Sequence, residues 1–216
     1  MLADLDQETA QPAFEGRIHP LQLALDVQGA MSDGDWLVID GGNTHFWSEI
    51  AVNIAGFQGK KLGGILHPGT FSLLGVGVSF AVSAKNVDPN RNVVLISGDG
   101  AFLSGGLSIE AAFQENRPIV VVIDNNGGLD CISQQQERLF ASGTHYATDF
   151  RDIPFHAMFE GLGGHGELVT RREDIIPAVQ RAMASGKTAC VNVKVKGVIS
   201  PIVLATTSKR DKASIE

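Results

Sequence analysis

Cysteine is scarce. Only Cys131 and Cys190 occur in 216 residues, and their separation fits neither a CxxC pair nor a zinc-ligand spacing. A disulfide framework and a structural zinc site are therefore not expected. Two free thiols suit a reducing compartment, and the cytoplasm is the expected location. The N-terminus lacks the basic-then-apolar segment of a signal peptide. No apolar run approaches the length of a membrane span, so no membrane partner is expected. Basic stripes are missing too: 17 Lys and Arg stand against 24 Asp and Glu, a formal net charge of −7. Nucleic acid is thus not an expected partner. An acidic chain that binds a polyanion needs a metal ion or helix N-termini to offset repulsion. Internal repeats and low-complexity stretches are also absent.

What is present is the composition of a packed α/β protein, 44% hydrophobic with 25 glycines, too apolar for disorder. Residues 1–17 read as a polar lead-in, 18–197 as one domain, and 198–216 as a C-terminal tail with a basic run at 208–212. A helix is expected from Pro20 to Met31, since Pro suits a first helical turn. Strands are expected at 36–40, 62–66, 92–97, 118–124, 165–169 and 190–195. Helices are expected at 45–55, 72–85, 105–116, 154–161 and 172–185, with a polar loop or short helix between 126 and 150. The runs at 93–96 and 119–123 are almost wholly apolar and mostly β-branched, which marks strands buried on both faces of a parallel sheet. Alternating strands and helices predict a doubly wound, open parallel sheet with helices on both faces. Ligands of such sheets bind at the carboxyl ends of the strands. The informative loops are therefore 40–45, 66–72, 97–104 and 124–131.

Two of these loops carry chemistry. Gly98-Asp99-Gly100 follows one strong strand, and Asn125-Asn126 follows the next. Asn126 lies 27 residues after Asp99, which leaves room for one crossover helix and sets both side chains at one sheet edge. A carboxylate and an amide oxygen are hard donors that suit magnesium, which shares its shell with phosphate oxygens and water. The glycines allow close backbone approach to a diphosphate, and the next helix aims free N–H groups at the same place. GDG or NN alone is an ordinary turn; the pair at this offset, each ending an apolar strand, reads as a magnesium–diphosphate cradle. A dinucleotide fingerprint is not formed, because Gly41-Gly42-Asn43-Thr44-His45-Phe46 lacks the third glycine of GxGxxG.

This arrangement resembles the thiamin-diphosphate signature, GDG followed one crossover later by NN. The resemblance covers roughly residues 18–200 and points to the C-terminal diphosphate-binding domain of the acetolactate-synthase-like superfamily. His67-Pro68-Gly69-Thr70-Phe71-Ser72-Leu73-Leu74-Gly75-Val76-Gly77 is similar to the GTF/GTW segment of 2-hydroxyacyl-CoA lyases and oxalyl-CoA decarboxylases. Asp40-Gly41-Gly42 with Phe46-Trp47 is similar instead to acetolactate synthase or benzaldehyde lyase. The resemblance implies thiamin diphosphate and Mg2+ as cofactors. It implies metal ligands at Asp99 and Asn126 through side-chain oxygens, and at Gly128 through its carbonyl. Gly42, Asn43 and Thr44 would touch the diphosphate, as would Gly98 and the backbone of Gly100, Ala101 and Phe102 along the cradle. The Gly69 carbonyl would accept from the aminopyrimidine, and Phe71 would contact the pyrimidine and prop the cofactor in its bent form. His67 is a candidate for substrate contact or proton relay, weighed against a loop histidine with a structural bond.

The family's activating glutamate lies on a separate pyrimidine-binding domain. Residues 1–35 are too few to hold it, so a second polypeptide or a longer parent chain would supply it. Met1 and the tail beyond the last strand are what a natural split subunit would show, with a heterotetramer as the family-like assembly. The expected function is then carbon–carbon lyase or carboligase chemistry on a 2-oxo acid, an aldehyde or ketone, or an acyl-CoA, through an acyl-anion equivalent on the cofactor. A non-catalytic or regulatory homologue that keeps the fold is the alternative.

Overall fold

The computed structural model describes residues 16–140 and 142–205; most of the lead-in and the basic run at 208–212 lie outside them. Helix α1 spans Pro20–Ala30 and begins with a reciprocal cap. His19 Nδ1 accepts from Leu21 N–H at 3.0 Å, and Gln22 Oε1 accepts from His19 N–H at 3.2 Å. Two of the donors that a helix start leaves unpaired are thereby met.

Then come β1 (Trp36–Asp40), α2 (Asn43–Phe57), β2 (Gly64–Leu66), α3 (Gly77–Val87), β3 (Val93–Gly98), α4 (Asp99–Gly105), α5 (Glu110–Gln114) and β4 (Val120–Asn125). The chain continues through α6 (Asp130–Leu139), α7 (Phe155–Gly161), β5 (His165–Val169), α8 (Ile175–Ala184) and β6 (Ala189–Lys194). All pairings are parallel, in the order β2-β1-β3-β4-β6-β5. The sheet is the expected doubly wound one.

Side-chain alternation along the strands splits the core in two. Leu37, Ile39, Val94, Ile96, Val120 and Val122 face a layer of α1, α2 and α8. Val38, Val93, Leu95, Val121 and Ile123 face α3, α5 and α7, with Phe102, Phe155 and Phe159 as the large buried rings. Strands buried on both faces explain why β3 and β4 read as unbroken apolar runs.

Two helices depart from expectation. The helix expected at 72–85 starts only at Gly77, because residues 69–76 form a 3₁₀ turn and an exposed loop. The helix expected at 105–116 is broken into α4, a 3₁₀ turn at Gly106–Ile109, and α5. The reason is a backbone contact that periodicity does not report. A Cβ on Gly105 would lie 2.0 Å from the Gly75 carbonyl oxygen, so the two glycine segments touch and set each other's path.

The order places β1 and β3 side by side while the chain leaves them in opposite directions, to β2 and to β4. That is a switch point, where helices on opposite faces leave a crevice at the strand ends. Register brings Asp40 level with Ser97 and Gly98 level with Asp124, so the ends of β1, β3 and β4 share one rim. No helix among the described residues is long and apolar enough to cross a membrane.

Candidate functional site

A cavity of about 630 Å³ opens over this rim, a size suited to a small-molecule ligand. Its floor is the GDG turn between β3 and α4. The Asp99 carboxylate is 2% exposed, and its Oδ1 accepts from its neighbour Gly100 N–H at 2.7 Å. Its Oδ2 accepts from Gly127 N–H at 2.8 Å and Gly128 N–H at 3.1 Å, across the end of β4. Asn126 Oδ1 accepts from the same Gly128 N–H at 3.0 Å. Asp99, Asn126 and Gly128 therefore meet at one point, the first two as their spacing leads one to expect. Burial pushes the Asp99 carboxyl up to about 6, against the opposing pull of those N–H donors.

Asn125 does something else. It is buried, and its Nδ2 donates to Asn192 Oδ1 at 2.9 Å, which ties β4 to β6. Of the NN pair only Asn126 lines the cavity.

One wall is the start of α2. Gly42, its N-cap, makes no side-chain cap bond, so the first-turn N–H groups carry the partial positive charge of a helix start. Gly42, Asn43 and Thr44 line the cavity, yet two side chains are already engaged. Thr44 Oγ1 donates to buried Asp124 Oδ2 at 2.8 Å. Asn43 Nδ2 donates to Gln134 Oε1 at 3.0 Å, and its Oδ1 accepts from Ser200 N–H at 3.2 Å. Asn43 thus bolts α2 to α6 and to the strap after β6, leaving the backbone to face a ligand. Asp124 Oδ1 has no partner, and burial raises its carboxyl to about 7.

The opposite wall is the turn after β2. Asp40, at the end of β1, anchors it: Oδ2 accepts from Gly75 N–H at 3.0 Å and Gly77 N–H at 2.7 Å. Burial raises this carboxyl too, while those bonds oppose the shift. His67 and Gly69 line the cavity, as do Gly98, Gly100 and Ala101.

One expected side chain does not line the cavity, and a second ring is packed away while its backbone was the expected contact. The Phe71 side chain is 87% exposed and does not line the cavity; the apolar side chain that reaches in from this loop is Leu74. Phe71 sits in the 3₁₀ turn, which swings its ring to the outside. Phe102 is buried with its ring against Phe155 and Phe159, at centroid distances of 5.7 and 5.8 Å. Its side chain is core, a direction that the helical path of α4 imposes.

Residues that the sequence did not single out also line the cavity: Glu49, Leu74, Cys131 and Ile132. Glu49 lies four residues after His45 on α2, a spacing that sets both on one helix face, and that signal was available. Cys131 is brought in only by tertiary packing, since a Cβ on Gly42 would lie 3.1 Å from its Cβ.

Fold and site together define a doubly wound α/β domain with a ligand cavity at its switch point. Residues 40–193 match the family model for the C-terminal TPP binding domain of thiamine pyrophosphate enzymes, and the chain belongs to that family. It is 34% identical over 182 residues to an acetolactate synthase large subunit of Mycobacterium tuberculosis, covering 82% of this chain and 31% of that protein. It is 28% identical over 191 residues to 2-hydroxyacyl-CoA lyase 2 of Danio rerio, covering 85% and 29%. A thiamine diphosphate-dependent 4-hydroxybenzoylformate decarboxylase of Rhodococcus jostii superposes with a TM-score of 0.70 at 26% identity, over 86% of this chain and 34% of that one. The chain thus spans about a third of the length of the curated relatives it matches.

Proposed function

We propose that this chain forms the diphosphate- and magnesium-binding wall of a thiamin-diphosphate-dependent carbon–carbon lyase or carboligase. The observation that carries the reading is the convergence of Asp99 and Asn126 on Gly128 N–H at the base of the cavity. The donor set fits a divalent cation. A carboxylate this buried is costly without a counter-charge, and an ion sharing diphosphate oxygens would supply one. The cradle also fits a diphosphate: the α2 N-terminus is uncapped by side chains, and Gly42, Gly98 and Gly100 line the cavity beside it. Asp99 and Asn126 would hold the ion through side-chain oxygens, with the Gly128 carbonyl beside them. Gly69 and Leu74 would border the rings.

When bound, the cofactor supplies the carbanion chemistry. This chain's residues bind, orient and exclude water. The substrate class in this reading is a 2-oxo acid, an aldehyde or ketone, or a 2-hydroxyacyl-CoA. A pyrimidine-binding domain, on a second subunit or elsewhere in a longer chain, would supply the activating glutamate. Phe71, Leu73 and Leu107 stand 87, 55 and 83% exposed beside the cavity loop and α4, and such a domain would cover them.

The test is calorimetric titration of thiamin diphosphate with and without Mg2+ into the chain, alone and with a pyrimidine-domain protein. Magnesium-dependent binding that Asp99→Ala abolishes is expected. Absence of binding in both samples would leave a homologue that keeps the fold without the cofactor.

A further inference from the structure

The cavity holds a second cluster, beside the α2 wall of the cradle. His45 and Glu49 share one face of α2, and His67 leaves the end of β2 beside them. Their ligand-type atoms all lie within 4.8 Å of one another. Glu49 Oε1 is 2.9 Å from His45 Nε2, the two imidazole rings meet edge-on at 5.0 Å, and Gly69 N–H donates to His67 Nδ1 at 3.2 Å.

These contacts fix the tautomers. An ionised carboxylate only accepts, so neutral His45 carries its proton on Nε2 and keeps a lone pair on Nδ1. A backbone N–H only donates, so neutral His67 keeps its lone pair on Nδ1 and carries its proton on Nε2. One ring offers a base and its neighbour offers a hydrogen-bond donor. Among the described residues no Lys or Arg lines the cavity. The other ionisable groups among the described lining residues are the acids Asp99 and Asp130 and the thiol Cys131.

Two histidines and a glutamate are also a zinc-type set, but the geometry disfavours a metal. The Glu49–His45 contact is shorter than the about 3.3 Å between tetrahedral ligands at about 2.0 Å from zinc. One His67 nitrogen is already taken by Gly69.

We propose that His45 is the proton-transferring residue for substrate at this site, with Glu49 and His67 as its positioning partners. The inference rests on the lyase reading above. In the cleavage direction the O–H bond of a substrate hydroxyl breaks, its proton bonds to His45 Nδ1, and the electron pair stays on oxygen. Glu49 stabilises the imidazolium that results. His67 Nε2–H donates a hydrogen bond to the same oxygen and gives up no proton. Addition runs the transfer in reverse. The substrate that suits this arrangement is a 2-hydroxy ketone or 2-hydroxyacyl compound, whose hydroxyl must lose its proton as the neighbouring bond opens.

The experiment uses the full chain in the assembly in which it is purified, with thiamin diphosphate and Mg2+. Long-range ¹H–¹⁵N spectra of histidine-labelled protein read the tautomers. Benzoin, a 2-hydroxy ketone, serves as probe, with benzaldehyde release as the signal. Protons on Nε2 of both rings are expected. His45→Gln should lower kcat by about 100-fold or more while cofactor Kd stays within about twofold. Glu49→Gln, whose amide oxygen still accepts from Nε2–H, should keep the His45 tautomer but lower kcat by about tenfold through loss of the charge, and His67→Gln should raise KM more than it lowers kcat.

Either histidine protonated on Nδ1 would overturn the proposal. So would full activity in His45→Gln, or loss of cofactor binding in all three variants, which would make the cluster a cofactor contact. A wild-type protein that binds no thiamin diphosphate removes the lyase reading itself, and the relay falls with it. Should the wild type bind cofactor but leave benzoin intact, the tautomers decide alone.

Discussion

Asp99→Asn separates a binding residue from a structural one. In the free chain the carboxylate is buried, and its pKa rises from 3.8 to about 6. At pH 7 its ionised form therefore costs about 3 kcal/mol relative to a solvated one. The asparagine amide removes that charge. It also turns an NH2 group towards N–H donors, since three backbone N–H groups of Gly100, Gly127 and Gly128 bond the two carboxylate oxygens. One or two of these would lose their acceptor, at about 1–3 kcal/mol each. The two effects oppose and nearly cancel, so the unfolding free energy of the free chain should move by less than about 2 kcal/mol. Cofactor binding has no such compensation, because a charged ligand of the ion is gone, and magnesium-dependent affinity for thiamin diphosphate should fall by about 100-fold or more, some 2.7 kcal/mol. Urea unfolding of the free chain and calorimetry of the loaded one read the two quantities. A variant destabilised by more than about 4 kcal/mol that still binds cofactor with parental affinity would show that Asp99 only staples the β4 loop, and would refute the metal assignment.

Three further outcomes follow from particular contacts. His19 is buried at the cap of α1, and burial lowers its pKa from 6.5 to about 4; its contribution is therefore complete above pH 6.5 and lost as pH falls towards 4, about 3 kcal/mol in all. His19→Asn, which can still cap α1 but does not titrate, should flatten that acid limb in a pH series of thermal unfolding; an unchanged limb would contradict it. Gly105→Ala sets a methyl against the Gly75 carbonyl and should cost about 2–4 kcal/mol or displace the cavity loop, so parental stability with parental cofactor affinity would argue against the backbone contact. Asn43→Ala removes the acceptor of the buried Ser200 N–H; faster hydrogen exchange at Ser200 is expected, and unchanged protection would show that the strap holds without this bolt.

Much of the molecule is legible in its sequence. Buried parallel strands carry their own signal, and the range expected for β1 coincides with that observed, because it is an apolar run between polar breaks; the range expected for β5 coincides too, although that edge strand is largely polar and only partly buried. The GDG and NN turns were legible because each terminates a buried apolar strand, and parallel pairing forces their ends to one rim. Side-chain direction was not legible. Phe71 and Phe102 lie in or beside the motifs, yet one ring points outward and the other into the core, since a 3₁₀ turn and a short helix set their aim. The path of residues 69–76 and 99–114 was set by a contact between Gly75 and Gly105, thirty residues apart in sequence, which no local pattern encodes. Asn43 and Thr44 line the cavity wall, but their polar atoms are spent on Gln134, Ser200 and Asp124. The sequence by itself determined the sheet, its edge and the oxygen donors on it. Only the tertiary structure decided which polar atoms remain for a ligand and that His45, Glu49 and His67 meet, because hydrogen-bond partners distant in the chain compete for the same groups and folding settles the competition.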